Sequence, residues 1–304
     1  MIPMIGKTFF DEKSLLEDYL SQANISLSSF SFINLFIWQE FFKFDFNFID
    51  GNLCVFAKNS LGTFMYLPPL GKNISLQTIH QGFEYMQSLN GPYHVSRIEN
   101  VQENQRSLFP SDDFSFYKKG YEYCYYRKDL VNLKGNAYKS KRSCLNYFKK
   151  NYHFQYLSYQ KEMKDDCLLL YENWKRQRVQ TFSDDTYRQM IEENQSVHSL
   201  AMRYHKELGL LGRVVAVDGK IRAYSFGYFL NPSIFCVLFE IADLCIKGLS
   251  TFIFRELCDD PELKKFPFIN CMDDFALKNI EQTKLSFRPV ILIPSYVVTL
   301  KSDG

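Results

Sequence analysis

The sequence predicts an α+β fold with mixed, largely antiparallel sheets. Helical and strand periodicities alternate along all 304 residues. Asp50-Gly51 and Asp218-Gly219 each sit between alternating apolar runs, the signal of a tight antiparallel hairpin. No low-complexity linker interrupts the order of elements.

In chain order, residues 11–24 read as a helix with Leu15, Leu16, Tyr19 and Leu20 on one face. The aromatic-rich segment 30–48 lacks the basic polar face of an interfacial helix, so it reads as core. Residues 44–58 form the first hairpin. Residues 62–71 are a strand stopped by Pro68-Pro69, and 75–91 a helix ended by Asn90-Gly91. Residues 93–100 and 114–130 are strands, 137–150 a helix and 152–159 a strand. Helices follow around Leu168–Trp174 and over 186–209. The second hairpin spans 212–228, and 233–242 is a buried strand. Helix 247–260, strand 266–274, helix 275–287 and strand 289–300 close the chain. Both halves carry the mixed order. The boundary is placed between Lys134 and Gly135, giving domains 1–134 and 135–304.

Composition excludes several classes. Apolar residues are 46% and charged residues 23%, as in ordinary globular proteins, and the net charge is +2. A general nucleic-acid coat is therefore not expected, and any polyanion site is local. The eight cysteines contain no C-x-x-C pair and lie far from the five histidines in zinc-ligand spacing, so no metal site is expected. Scattered thiols indicate a reducing, cytoplasmic setting. The first residues lack a secretory pattern, and no run approaches the ~20 apolar residues of a membrane span. P-loop, Rossmann, serine-hydrolase elbow and H-E-x-x-H signatures are all absent.

Positive charge is concentrated between Leu133 and Tyr152, with no acid between Asp129 and Glu162. Asn136 is the expected N-cap of the helix there. Tyr138, Lys139, Lys141 and Arg142 then crowd its first turns, where cations oppose the macrodipole unless an anion binds. On the helical wheel Lys141 falls on the apolar face with Tyr138, Leu145 and Phe148, whereas Lys150 is solvated. Lys141 either snorkels to water or meets a negative partner in a cleft.

The segment 121–152 resembles the phosphatidylglycerol lysyltransferase C-terminal domain family. Tyr121, Tyr123, Tyr125, Leu130, Leu133, Gly135, Tyr138, Lys141, Arg142, Asn146, Phe148, Lys150 and Tyr152 match its motifs in order. So do "FINLFIW", "YLPPLG", "VVAVDGKIRAYSFG", "FEIAD" and "QTKLSFRP", which extends the resemblance over nearly the whole chain. It implies two tandem GNAT-like domains and transfer of an aminoacyl group from aminoacyl-tRNA, or of an acyl group from acyl-CoA. The acceptor is an unknown amine or hydroxyl, with an anionic phospholipid among the candidates. No tightly bound cofactor is implied. Two departures stand out: Ser143-Cys144 replaces an Asn-His pair, and Cys271 and Ala276 replace the family's Arg and Gly.

Such chemistry needs a group to take the acceptor's proton and donors for the tetrahedral oxyanion. Glu240, Asp243 and Asp274 are expected at strand ends in that role. Lys284 is expected at the oxyanion or a phosphate, and Tyr138, Lys139, Lys141 and Arg142 at the donor's anion. In the alternative reading Glu240 caps the following helix, and Asp243 or Asp274 pairs with Lys141 or Arg142 in a catalytically silent binding protein. Lys247-Gly248 stands where a simple acetyltransferase holds the pyrophosphate of CoA. His198 and His205 are expected to pack or face solvent.

Overall fold

The computed structural model describes residues 9–23, 25–91, 94–181 and 185–301. Residues 1–8, at the start of the chain, Asn24 at the end of the first expected helix and Tyr93 at the start of an expected strand lie outside them. The described residues divide into two compact units. One comprises the described residues up to Glu122 together with 293–301, the other those from Tyr123 to Leu292.

In the first unit, α1 (Lys13–Leu20) and α2 (Phe32–Trp38) precede β1 (Lys43–Ile49), β2 (Asn52–Asn59) and β3 (Gly62–Met65). Helix α3 (Leu76–Leu89), β4 (Ile98–Gln102) and β5 (Phe114–Tyr126) follow, and the dividing line falls inside β5. Ser31 and Ser75 accept the Asn34 and Thr78 amides, at 3.1 and 3.0 Å, and so start α2 and α3. Asp50 and Gly51 take φ of 49° and 76°, as a tight hairpin between β1 and β2 requires. Phe30, Phe32, Phe36 and Phe44 are buried, as a core reading of segment 30–48 expects, whereas Phe48 at its end is 54% exposed.

In the second unit, α4 (Arg127–Asn132) leaves β5 directly, a helix the sequence reading merged into a strand. Helix α5 (Lys139–Asn151) leads to β6 (Phe154–Ser158), then α6 (Lys164–Thr181) and α7 (Asp185–Arg203). The hairpin β7 (Leu211–Val217) and β8 (Lys220–Phe229) turns at Asp218-Gly219 as expected. Next come β9 (Ile234–Ala242), α8 (Leu249–Cys258), β10 (Phe268–Asn270) and α9 (Lys278–Leu285). The strand order is β5-β10-β9-β8-β7-β6, antiparallel except for β10 on β9. Helix α8 packs on one face with α5; α6 and α7 cover the other, where His198 stacks on Phe239 with ring centres 3.9 Å apart. His198 and His205 are both buried, as packing residues. The last strand, β11 (Ile291–Leu300), pairs antiparallel with β4 in the first unit.

Among the described residues no helix is long and apolar enough to cross a membrane, and no three His, Cys, Asp or Glu side chains cluster as metal ligands.

Candidate active site

The parallel pair positions the site. Strand β10 hydrogen-bonds to β9 over only three residues, Phe268–Asn270 against Ile234–Cys236. It then leaves β9: the Cys271 amide donates to the Tyr123 carbonyl at 2.9 Å. Strand β9 runs on to Ala242 with only β8 beside it. The two parallel strands therefore part beyond Asn270 and Cys236, and open α/β sheets characteristically hold ligands outside the carboxyl ends of such strands.

A β-bulge turns a carboxyl group of β9 toward α8. Gly227 pairs with Val237 but Phe226 with Phe239, so Leu238 is the extra residue. Strict alternation would place Glu240 on the face of Cys236. The bulge instead puts it on the face of Phe235 and Val237, which pack in one cluster with Phe254 and Leu257 of α8. Glu240 Oε1 accepts from the Ser250 hydroxyl at 3.3 Å, while Oε2 is buried without a hydrogen-bond partner. Burial pushes the carboxyl up to about 8, against the pull of the Ser250 bond and the Lys141 charge. Glu240 therefore lies inside β9, not at its end.

Lys141 reaches the same place from α5. Its Nζ stands 3.7 Å from the centre of the Phe287 ring. Burial holds the ammonium below its usual range, and the fields of Cys144 and Glu240 oppose that shift. The inward orientation read from the wheel is thus observed. Its other expected companions do different work. Helix α5 begins at Lys139, with Tyr138 as N-cap and no side-chain cap, so Asn136 does not cap it and instead opens a short 3₁₀ turn. Lys139 is exposed. Arg142 donates to the carbonyls of Leu133 and Gly135, the latter at 2.6 Å, and so holds the loop before α5. The Tyr138 hydroxyl donates to the Phe287 carbonyl at 3.0 Å. Arg142 and Tyr138 are thereby fastened to the main chain.

Asp274 lies on the loop after β10, four residues beyond the end of the short strand, not at a strand end. Its carboxylate accepts from the Ala276 amide at 2.9 Å and from the Tyr123 hydroxyl. Lys284 does not point at an open oxyanion position. Its ammonium donates to the successive carbonyls of Cys271, Met272 and Asp273, the first at 2.5 Å and the second at 3.1 Å. Cys271 joins the two groups of residues: the Glu240 and Lys284 charges both act on its thiol, which burial pushes up to about 12.

Asp243 sits apart. It pairs with Arg222 at 2.9 Å, rather than with Lys141 or Arg142, and accepts from the Cys245 amide. Both Asp243 and Arg222 line a cavity of about 870 Å³ with Trp174 and Lys220. Glu240 does not line that cavity; its raised carboxyl and the lowered Lys141 ammonium act on one another through their charges. Gly248, at the N-terminus of α8, has φ of +88°, and a Cβ there would stand 2.1 Å from the Cys144 carbonyl. The backbone of α5 thus presses on the position expected to hold a CoA pyrophosphate.

Sequence reading missed Ser250, Phe287 and Arg222. Ser250 lies in no motif, Arg222 and Phe287 lie inside motifs that say nothing of their partners, and only packing brings the three to their carboxylate and ammonium partners.

A family profile described as "Phosphatidylglycerol lysyltransferase, C-terminal" matches residues 22–299. A conserved protein of unknown function from Bacteroides thetaiotaomicron VPI-5482 superposes with a TM-score of 0.85 at 24% identity, covering 99% of this chain and 100% of that one. L-PGS from Bacillus licheniformis gives 0.67 at 14% identity, over 96% and 92%. A GNAT-family acetyltransferase from Colwellia psychrerythraea gives 0.53 at 10% identity, over 97% and 98%. These likenesses establish the fold. No curated protein sequence matches the chain.

Proposed function

This chain belongs to the phosphatidylglycerol lysyltransferase C-terminal family, and we propose that it transfers an aminoacyl group from an aminoacyl-tRNA ester to a hydroxyl or amine acceptor. The observation that carries this reading is that a buried, raised Glu240 carboxyl and a lowered Lys141 ammonium feel each other's charge in the unit where β9 and β10 part. A carboxyl shifted to about 8 is matched to taking a proton near neutral pH. In the proposed step the acceptor oxygen or nitrogen bonds to the ester carbonyl carbon, and its proton passes to the Glu240 carboxylate. Lys141 faces the tetrahedral oxyanion. When the ester C–O bond breaks, Glu240 returns the proton to the leaving ribose oxygen, so the carboxylate is regenerated. Two tandem GNAT-like domains remain part of this proposal. An acyl-CoA donor is the weaker choice, because the Cys144 carbonyl crowds Gly248.

The test is incubation of the protein with tRNA charged with a radiolabelled amino acid and with phosphatidylglycerol vesicles, the acceptor that the family description names. Label moves into lipid, and Glu240→Gln lowers the rate by about 100-fold. Transfer undiminished by Glu240→Gln refutes the assignment. A second reading, ligand binding without turnover, draws on Cys271, which brings no charge where the family has Arg, and on Lys284, whose ammonium is spent on loop carbonyls. Binding of charged tRNA without transfer to any offered acceptor selects it.

A further inference from the structure

Successive carbonyls of an extended chain point in opposite directions. Those of Cys271, Met272 and Asp273 converge on one point instead, the Nζ of Lys284. The convergence has a visible cause: Met272 takes a φ of +59°, which reverses the backbone between its neighbours. Phe275 and Ala276, at φ of +53° and +56°, continue the distortion. Three non-glycine residues in the left-handed region within five positions are costly, so something must hold the loop in place. The surroundings are also anionic, since Asp274, Glu281 and Asp273 all act on the neighbouring Tyr123 hydroxyl. Converging backbone carbonyls are the donors that replace the hydration shell of a potassium-sized cation.

We infer that the 271–273 carbonyls form a monovalent-cation site that Lys284 fills with a tethered ammonium, and that an untethered ammonium or potassium ion takes the site when the side chain is shortened or uncharged. Lys284 is then a positioning residue. It does not touch the reacting atoms. It holds the strained loop that sets Cys271 beside Glu240 and Asp274 beside Tyr123. This inference does not depend on the transfer reading, because its readout is the protein itself.

The test compares wild type with Lys284→Met, which keeps an apolar stem out to Cε and removes only the terminal ammonium. Melting is followed in ammonium, potassium and choline chloride at equal ionic strength. Wild type melts with the same midpoint in all three. Lys284→Met melts lower by about 5 °C in choline and recovers at least half of that loss in ammonium and potassium. Loss of packing alone would lower all three midpoints equally, so equal midpoints for the variant overturn the inference, as does a variant as stable as wild type in choline. If Lys284→Met does not stay folded, refolding from denaturant is compared in ammonium and choline. A higher yield in ammonium supports the site, and equal yields overturn it.

Discussion

The ammonium of Lys141 lies 3.7 Å from the centre of the Phe287 ring, on the apolar side of a helix whose other lysines face water or surface partners. A cation held against a ring and away from solvent has lost hydration, so an anion entering the site meets a stronger field than at the surface. Lys141→Met therefore weakens binding of a phosphorylated aminoacyl-adenosine analogue by about tenfold. Lys150→Ala, on the exposed face, leaves it unchanged. Titration calorimetry on both variants decides, and equal losses would mean a general basic patch.

Glu240 makes stability depend on pH. Its carboxyl is raised to about 8 when folded, so the native state holds a proton that the unfolded chain has released. Stability is full below the ordinary carboxylate range, falls as pH rises by at most about 1.4 kcal/mol per unit, and levels above about 8. The depressed Lys141 ammonium acts with the opposite sign. Urea unfolding of wild type and Glu240→Gln across this window isolates the carboxyl, because the variant lacks the fall. Parallel curves would show that Glu240 is solvated.

Gly248→Ala meets two obstacles together: a left-handed backbone and the Cys144 carbonyl, 2.1 Å from the new Cβ. The contact is with helix backbone, which cannot swing aside. The substitution costs on the order of 3 kcal/mol, read as a lower denaturation midpoint. A neutral result would mean that α5 moves freely against α8.

Ala276→Gly runs the other way. Ala276 takes φ of +56°, a left-handed backbone that glycine adopts without strain. Removing its Cβ relieves the strain and raises stability by about 1 kcal/mol. A fall in stability would mean that the cost of chain entropy exceeds the relief.

Arg142 binds loop carbonyls, so Arg142→Ala costs about 2 kcal/mol of stability. The analogue affinity of the folded variant stays near that of wild type. A tenfold loss of affinity at unchanged stability would return Arg142 to the anion site.

Particular residues show how far the sequence carried. The two Asp-Gly turns, the helical wheel of Lys141 and the core role of segment 30–48 are local or periodic properties, and all three were legible. The positions of Glu240, Asp274 and Lys284 were not. The bulge at Leu238 moves Glu240 to the other face of β9, and the apolar run around it gives no sign of the extra residue. Strand β10 stops after three residues, so Asp274 falls on a loop. The partners of Lys284 are main-chain carbonyls, which every residue possesses and no sequence pattern marks.

The sequence by itself therefore determined the α+β class, the hairpins, the family and the inward turn of one lysine, because side-chain periodicity and ordered motifs are written along the chain. Which charges meet was decided only by the tertiary structure. Lys141 and Glu240 are separated by some hundred residues, and their coupling depends on how α5, α8 and a bulged strand pack. The same packing brings Arg142 and Lys284 within reach of backbone carbonyls, to which charged donors bind well.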